Sequence, residues 1–168
     1  CSREYSIDIE GNRIGVWKRD LNDYGTFLGY IVLGLNPIWT TSVMFVKDVF
    51  LQLGEFDASY GAASDFEYWS RIALKRLNAK VVPEFHLLRR IHNQSQSNLV
   101  ADEQYQSTKR AVSNVIKYYS EEEDDRDLLN ALLIESIQIN KFNKKDFLNV
   151  SNKINTLLIN ISLKANLN

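Results

Sequence analysis

The segment Ser64-Asp-Phe-Glu-Tyr-Trp-Ser-Arg-Ile-Ala constrains this chain more than any other, because it sets both where a helix begins and which side of it is buried. Ser64 and Glu67 have the S-x-x-E spacing of a capping box, in which each side chain takes up a backbone N–H at the helix start. Phe66, Trp69, Ile72 or Ala73, and Leu77 then recur at helical spacing,. Glu67 and Arg71 form an i,i+4 pair in the favourable order. The pattern predicts a helix from Ser64 to about Leu77 whose apolar stripe packs on a second layer.

The surrounding residues supply that layer. Tyr5, Ile7 and Ile9 alternate with Ser6 and Asp8, Glu10-Gly11-Asn12 reads as a turn, and Ile14, Val16 and Trp17 follow, a β-hairpin signature,. Tyr24, Phe27, Leu28 and Ile31 predict a helix over 22–34, ended by Gly34, and Asn36-Pro37 then breaks the chain,. Ser42 to Val46 reads as a short buried strand, and Lys47 to Leu53 as a short helix with Gly54 in the left-handed position past its end,. Lys80-Val81-Val82 and Phe85–Leu88 read as two short strands separated by Pro83, and Asn93–Asn98 as a polar loop. After residue 99 everything reads as helix. Val112, Val115, Ile116 and Tyr119 mark the first; Leu128, Leu129, Leu132, Leu133 and Ile137 the second; Phe147, Val150, Ile154, Leu157 and Ile161 the third. The fold class is α/β, with a division at residue 99: a mixed α/β unit over 1–98 and a helical tail or small bundle over 99–168.

Composition removes several classes. With 45% hydrophobic residues and a net charge of −1, general disorder is excluded,. A single cysteine excludes a disulfide scaffold, and near-neutral charge gives no reason to expect nucleic acid as a partner,. No window approaches the roughly 18 consecutive apolar residues of a membrane span. The chain begins at Cys1 rather than Met, so it is expected to start inside a longer product.

From Asn36 to Asn98 a set of motifs follows in a particular order. Thr41-Ser-Val-Met-Phe-Val-Lys-Asp-Val-Phe leads to Leu53-Gly-Glu-Phe-Asp, like a G-G-F-D turn. Ser64-Asp-Phe-Glu-Tyr-Trp-Ser-Arg has the form of an (E/x)-D-x-x-x-W-x-R motif, and Arg90-Ile-His-Asn-Gln-Ser-Gln-Ser that of R-x-H-x-x-S-x-S. With the opening hairpin, residues 3–98 resemble the acceptor-side, C-terminal half of a family 2, GT-A-type glycosyltransferase. The residue before Asp65 is Ser, where many members of that family have Glu. The resemblance implies a partial GT-A-like mixed sheet with flanking helices, followed by the C-terminal helical segment. It also implies that the nucleotide-binding half and its D-x-D metal motif have no counterpart in these residues, so the chain alone is expected to be inactive.

By the same resemblance, the parent enzyme takes a sugar from a nucleotide-diphosphate sugar to a carbohydrate or lipid-linked acceptor, in polysaccharide biosynthesis. It works at a cytoplasmic site, with peripheral association at the inner face of the membrane as the further option. A divalent metal, Mg or Mn, is the implied cofactor. Asp65 is the implied general base, taking the proton of the attacking acceptor hydroxyl. The plain structural alternative is an acidic residue favoured by the helix dipole. His92 is the implied metal ligand, with a loop histidine bonded to backbone as the alternative. Arg90 is a candidate for diphosphate contact, and Trp39, in a loop after Pro37, for stacking on an acceptor sugar. Tyr60 and Gly61 lie in the loop implied to line the acceptor site. Trp69, by its spacing, belongs to the core. Asp125-Arg126-Asp127 matches D-x-D by letters, but it sits in an acidic run at a helix start and after the acceptor motifs, so it is rejected as the metal motif,.

A second function class competes: a non-catalytic module whose helices after residue 99 bind a partner protein or a membrane surface. Its support is the set of apolar stripes that a small α/β half does not obviously bury alone. Donor, acceptor, linkage and oligomeric state are not written in the residues.

Overall fold

The computed structural model describes residues 1–21, 23–92, 94–95, 99–120, 126–133 and 144–166. The expected hairpin forms. Strand β1, Ser2–Ile7, pairs antiparallel with β2, Arg13–Trp17. The Asp8 carboxylate closes the turn by accepting from Asn12 N–H at 2.8 Å and Asn12 Nδ2 at 2.9 Å, and Gly11 has φ 95°. Strand β3, Val82–Arg90, runs parallel to β1 on its other side, giving the order β2-β1-β3.

Three strand expectations are corrected. The two strands expected around Pro83 are one continuous strand. Pro83 is tolerated because β3 is an edge strand among the described residues, where a missing N–H breaks no ladder bond,. Ser42–Val46 is not a buried strand. Thr40–Ser42 is a 3-10 turn, Met44 is 93% exposed and Val46 69%, and only Val43 and Phe45 pack against the core, Phe45 stacking on Trp69 with ring centroids 5.6 Å apart. In β1 the polar residues Ser2, Glu4 and Ser6 are buried while Tyr5 is half-buried, and Ile9, past the strand, is exposed. Arg89 makes this possible by ion-pairing with fully buried Glu4 at 2.5 Å, while Tyr5 stacks on Phe85 at 4.3 Å with the Arg13 guanidinium 4.0 Å from its ring. Ile7 is buried after a register shift at the end of β1.

The helices follow the sequence more closely. Helix α1, Tyr24–Val32, is capped by Asp23, which accepts from Thr26 N–H at 2.8 Å, and Gly34 follows its end with φ 66°. Helix α2, Lys47–Leu53, ends at Gly54, φ 77°. A 3-10 segment, Ala58–Ala63, runs directly into α3, Ser64–Leu74. The capping box does not form. Ser64 already has helical φ/ψ and its N–H is bonded to Gly61 O, so Ala63 occupies the cap position with no side-chain bond. A cap needs extended backbone, which the incoming 3-10 turn denies to Ser64. Glu67 instead pairs with Arg71, as expected.

Helix α4, Ala101–Ser120, follows, then α5, Arg126–Leu132, and α6, Lys144–Asn166. Ile137, the connecting runs and the acidic run 121–125 of the rejected D-x-D lie outside the described residues, as do the side chains of Asp127, Phe147 and Val150. The α4 stripe is buried as expected, and it shares one hydrophobic cluster with α1 and α3. Phe27, Ile31, Phe66 and Trp69 pack in that cluster with Val112, Val115, Ile116 and Tyr119, and Leu128, Leu129, Leu132 and Leu157 extend it. The molecule is a mixed α/β structure with a three-stranded sheet and a helical layer. None of its described helices is long and apolar enough to cross a membrane.

Candidate functional site

Asp65 stands in the first turn of α3, partly exposed, where three donors orient its carboxylate. Oδ2 accepts from Asn36 Nδ2 and from Thr40 Oγ1, each at 3.0 Å, and Oδ1 accepts from Phe66 N–H at 2.7 Å. A carboxylate has room for about four hydrogen bonds, so one acceptor direction remains.

The segment carrying these donors is itself clamped. Asn36 Oδ1 accepts from Ile38 N–H at 3.2 Å, Pro37 and Ile38 are buried, and Trp69 Nε1 donates to Ile38 O at 3.1 Å. Arg19, stacked over the Tyr30 ring at 4.6 Å, donates to Asn36 O. Burial holds the Arg19 guanidinium below its ordinary pKa. Trp69, expected in the core, is 0% exposed, and its indole N–H ties that core to the segment above. Asn36 and Phe66 also line a cavity of about 300 Å³ between the end of α1 and α4, at the small end of the usual range for ligand sites.

Trp39 precedes Thr40 and is half-buried. The Arg89 guanidinium lies 4.5 Å from the Trp39 ring centroid and Trp17 meets it edge-on at 6.1 Å, while its indole N–H is buried without a hydrogen-bond partner among the described residues. Tyr60 is buried against α4, with Asn114 Nδ2 3.1 Å from its hydroxyl and Arg110 3.6 Å from its ring centroid. Gly61 has φ 50° and ψ −126°, and a Cβ there would come within 2.8 Å of Glu103 Oε1. Glycine is favoured there by its backbone conformation, and a Cβ would oblige only the flexible end of the exposed Glu103 side chain to shift. The loop before Asp65 is thus fastened to α4.

Arg90 is exposed and bridges the hairpin turn, donating to Asp8 O at 2.7 Å and Ile9 O at 2.8 Å. None of the described hydrogen bonds or ion pairs joins it to Asp65. His92 is exposed just past β3, and its N–H is 3.3 Å from Ser95 Oγ. No three His, Cys, Asp or Glu side chains gather as a metal-ligand set among the described residues. His92 supplies at most one ligand, and the described residues do not by themselves fit a divalent ion.

The structure thus groups Asp65 with Asn36 and Thr40, and with Trp39 by chain adjacency. It directs Tyr60 and Gly61 toward α4, and Arg90 toward the hairpin. Asn36, Thr40 and Arg19 were missed in the sequence. Asn36 is legible only as half of a chain-breaking Asn-Pro pair, and nothing local marks Thr40. No protein family, no curated protein and no solved structure matches the chain.

Proposed function

We propose that this chain is the acceptor-side portion of a GT-A-type, family 2 glycosyltransferase, with Asp65 as its general base. The observation that carries the proposal is the carboxylate itself, fixed at the start of α3 by Asn36 and Thr40 with one acceptor direction left. The ordered motifs around it supply the reaction class. In that reaction the acceptor hydroxyl oxygen bonds to the anomeric carbon of a nucleotide-diphosphate sugar. The bond from that carbon to the diphosphate oxygen breaks, and its electron pair leaves with the nucleotide. The hydroxyl proton passes to Asp65, and configuration inverts.

On this reading Asn36 and Thr40 aim the base, Arg19 aims Asn36, and Trp69 holds their backbone on α3. Trp39 stands beside the base as part of the acceptor wall. Tyr60 and Gly61 set the course of the loop leading into it. Arg90 and His92 mark the β3 end, where a diphosphate and its metal belong in the parent. The described residues do not complete that site.

The test is transfer by the full-length parent from a panel of nucleotide-diphosphate sugars to carbohydrate and lipid-linked acceptors, with anomeric configuration read by NMR. An inverted glycoside is expected. Absence of transfer from every donor, or retained configuration, overturns the proposal. The alternative, a module binding a partner or a membrane surface, draws on Leu158, Ile159 and Leu163 of α6, each more than half exposed. Under that alternative, substituting these three with Ser abolishes partner capture or flotation with vesicles; under the enzyme reading it leaves transfer unchanged.

A further inference from the structure

A second cleft, of about 860 Å³, lies at the opposite end of α3 from Asp65. Its walls include Tyr24 from α1, Tyr118 from α4, and Arg71, Lys75, Arg76 and Asn78 from the end of α3 and the residues after it. The chain as a whole has 20 basic and 21 acidic residues. Among the described residues the cleft lining departs from that balance, with three cations and no carboxylate.

The three cations are not equivalent. Arg71 is committed, donating to Leu53 O at 2.6 Å, Glu55 O at 2.7 Å and Glu67 Oε2 at 2.9 Å. Lys75 is exposed, and Lys75 and Arg76 make no ion pair among the described residues. Basic residues at a helix C-terminus are ordinarily accounted for by the helix dipole. That accounts for Lys75, but not for the backbone of Arg76.

Helix α3 ends in a Schellman motif: Arg76 N–H bonds to Ala73 O at 2.9 Å and Leu77 N–H to Ile72 O at 3.1 Å. The first residue past the cap in this motif must be left-handed, a position usually held by glycine. Here it is Arg76, at φ 55°, the single non-glycine residue with positive φ among those described. A strained side chain kept where glycine is favoured points to a use for that side chain. Its guanidinium stands 5.3 Å from the Tyr24 ring centroid, on the cleft wall.

The wall is also rigid. Tyr24 OH donates to Ala73 O at 2.8 Å and lies 2.8 Å from Tyr119 OH. Lys164 of α6 donates to Tyr118 O at 2.5 Å and lies 5.0 Å from the Tyr118 ring centroid, which holds that wall to α6. Pre-set walls and paired cations suit a multiply charged anion.

We propose that this cleft binds a phosphate-bearing ligand, with Lys75 and Arg76 taking the phosphate and Tyr24 and Tyr118 flanking it. The site is independent of Asp65 and of any sugar transfer. The phosphate can be carried by a soluble ester or by a phospholipid headgroup, and two probes separate these sources. Inorganic pyrophosphate is titrated into the 168-residue protein by calorimetry at low salt. The protein is also floated with vesicles of phosphatidylglycerol, and with phosphatidylcholine vesicles as control. Each is repeated with Arg76→Gly and Lys75→Gln.

The expected result is saturable binding to one probe, weakened about tenfold or more in each variant, as for a lost charged contact. Arg76→Gly relieves the left-handed strain, so its Tm should equal or exceed that of the native protein. Loss of binding with a maintained Tm separates a ligand role from a merely structural one. Pyrophosphate binding assigns a soluble ester, and phosphatidylglycerol flotation without it assigns a headgroup. Should Arg76→Gly fail to fold, Lys75→Gln alone decides. Binding to neither probe, or binding that both substitutions leave unchanged, overturns the proposal.

Discussion

Single carboxylates in this protein are set by very local partners. The Asp8 pKa is lowered first by the Asn12 side chain, Asp23 by the Thr26 N–H, and Asp57 by the Ser59 side chain. A depressed folded pKa contributes stability that is present above the unfolded value of about 3.9 and is lost as pH falls through the folded value. The Tm should therefore be level above about pH 5 and fall below about pH 4. Asp23→Ala should lower the plateau and make the acid fall shallower, as read by circular dichroism melts between pH 2 and 7. An unchanged acid limb would remove Asp23 from this account. Glu4 is a different case, being fully buried and paired with Arg89. Arg89→Met should cost about 3 kcal/mol in urea unfolding, since a buried charge loses its partner, and adding Glu4→Leu should recover part of it. The Asp23 cap is readable from neighbours three residues apart. The Glu4–Arg89 pair joins residues 85 positions apart, and nothing in the alternation of β1 announces that its polar face is the buried one.

At the scale of the element, α3 shows what periodicity conveys and what it omits. Phe66, Trp69, Ile72 and Ala73 are buried as the spacing predicts, but Glu67, Tyr68 and Ser70, off that stripe, are buried as well. The start differs because the preceding 3-10 segment feeds straight into the helix, and no pattern in the residues distinguishes that from a capped entry. Ser64→Ala should accordingly change stability by less than about 0.5 kcal/mol, where loss of a true cap costs typically about 1. A loss of 1 kcal/mol or more in denaturant unfolding would restore the capping box. Trp69→Ala removes a fully buried ring and the bond to Ile38 O, and should cost about 3–5 kcal/mol. Residues 42–46 mislead for the opposite reason. A short apolar run is strand or loop according to what lies beside it, and here only Phe45 finds the aromatic cluster of Tyr68 and Trp69.

Across the whole molecule, the change in character at residue 99 is a change of secondary structure, and the hydrophobic cluster continues across it. Val112 and Val115 of α4 are fully buried in that cluster with Phe27 and Ile31, and the loop bearing Tyr60 and Gly61 is fastened to the same helix. A chain ending at residue 98 should expose these surfaces, bind a hydrophobic dye and lose cooperative unfolding. A sharp two-state transition in that truncated chain would contradict this. The candidate site was legible in part. Asp65 stands out by its place in an ordered set of motifs, whereas Asn36 and Thr40 reach it only through folding, 29 and 25 residues away in sequence. On the proposed reading, this carboxylate accepts the proton of an attacking sugar hydroxyl. The most direct test is the turnover of Asp65→Asn in the full-length parent, with donor affinity measured alongside. A fall in kcat on the order of 10²–10⁴ is expected, with donor affinity nearly unchanged; turnover near the native rate would contradict the proposed role of Asp65.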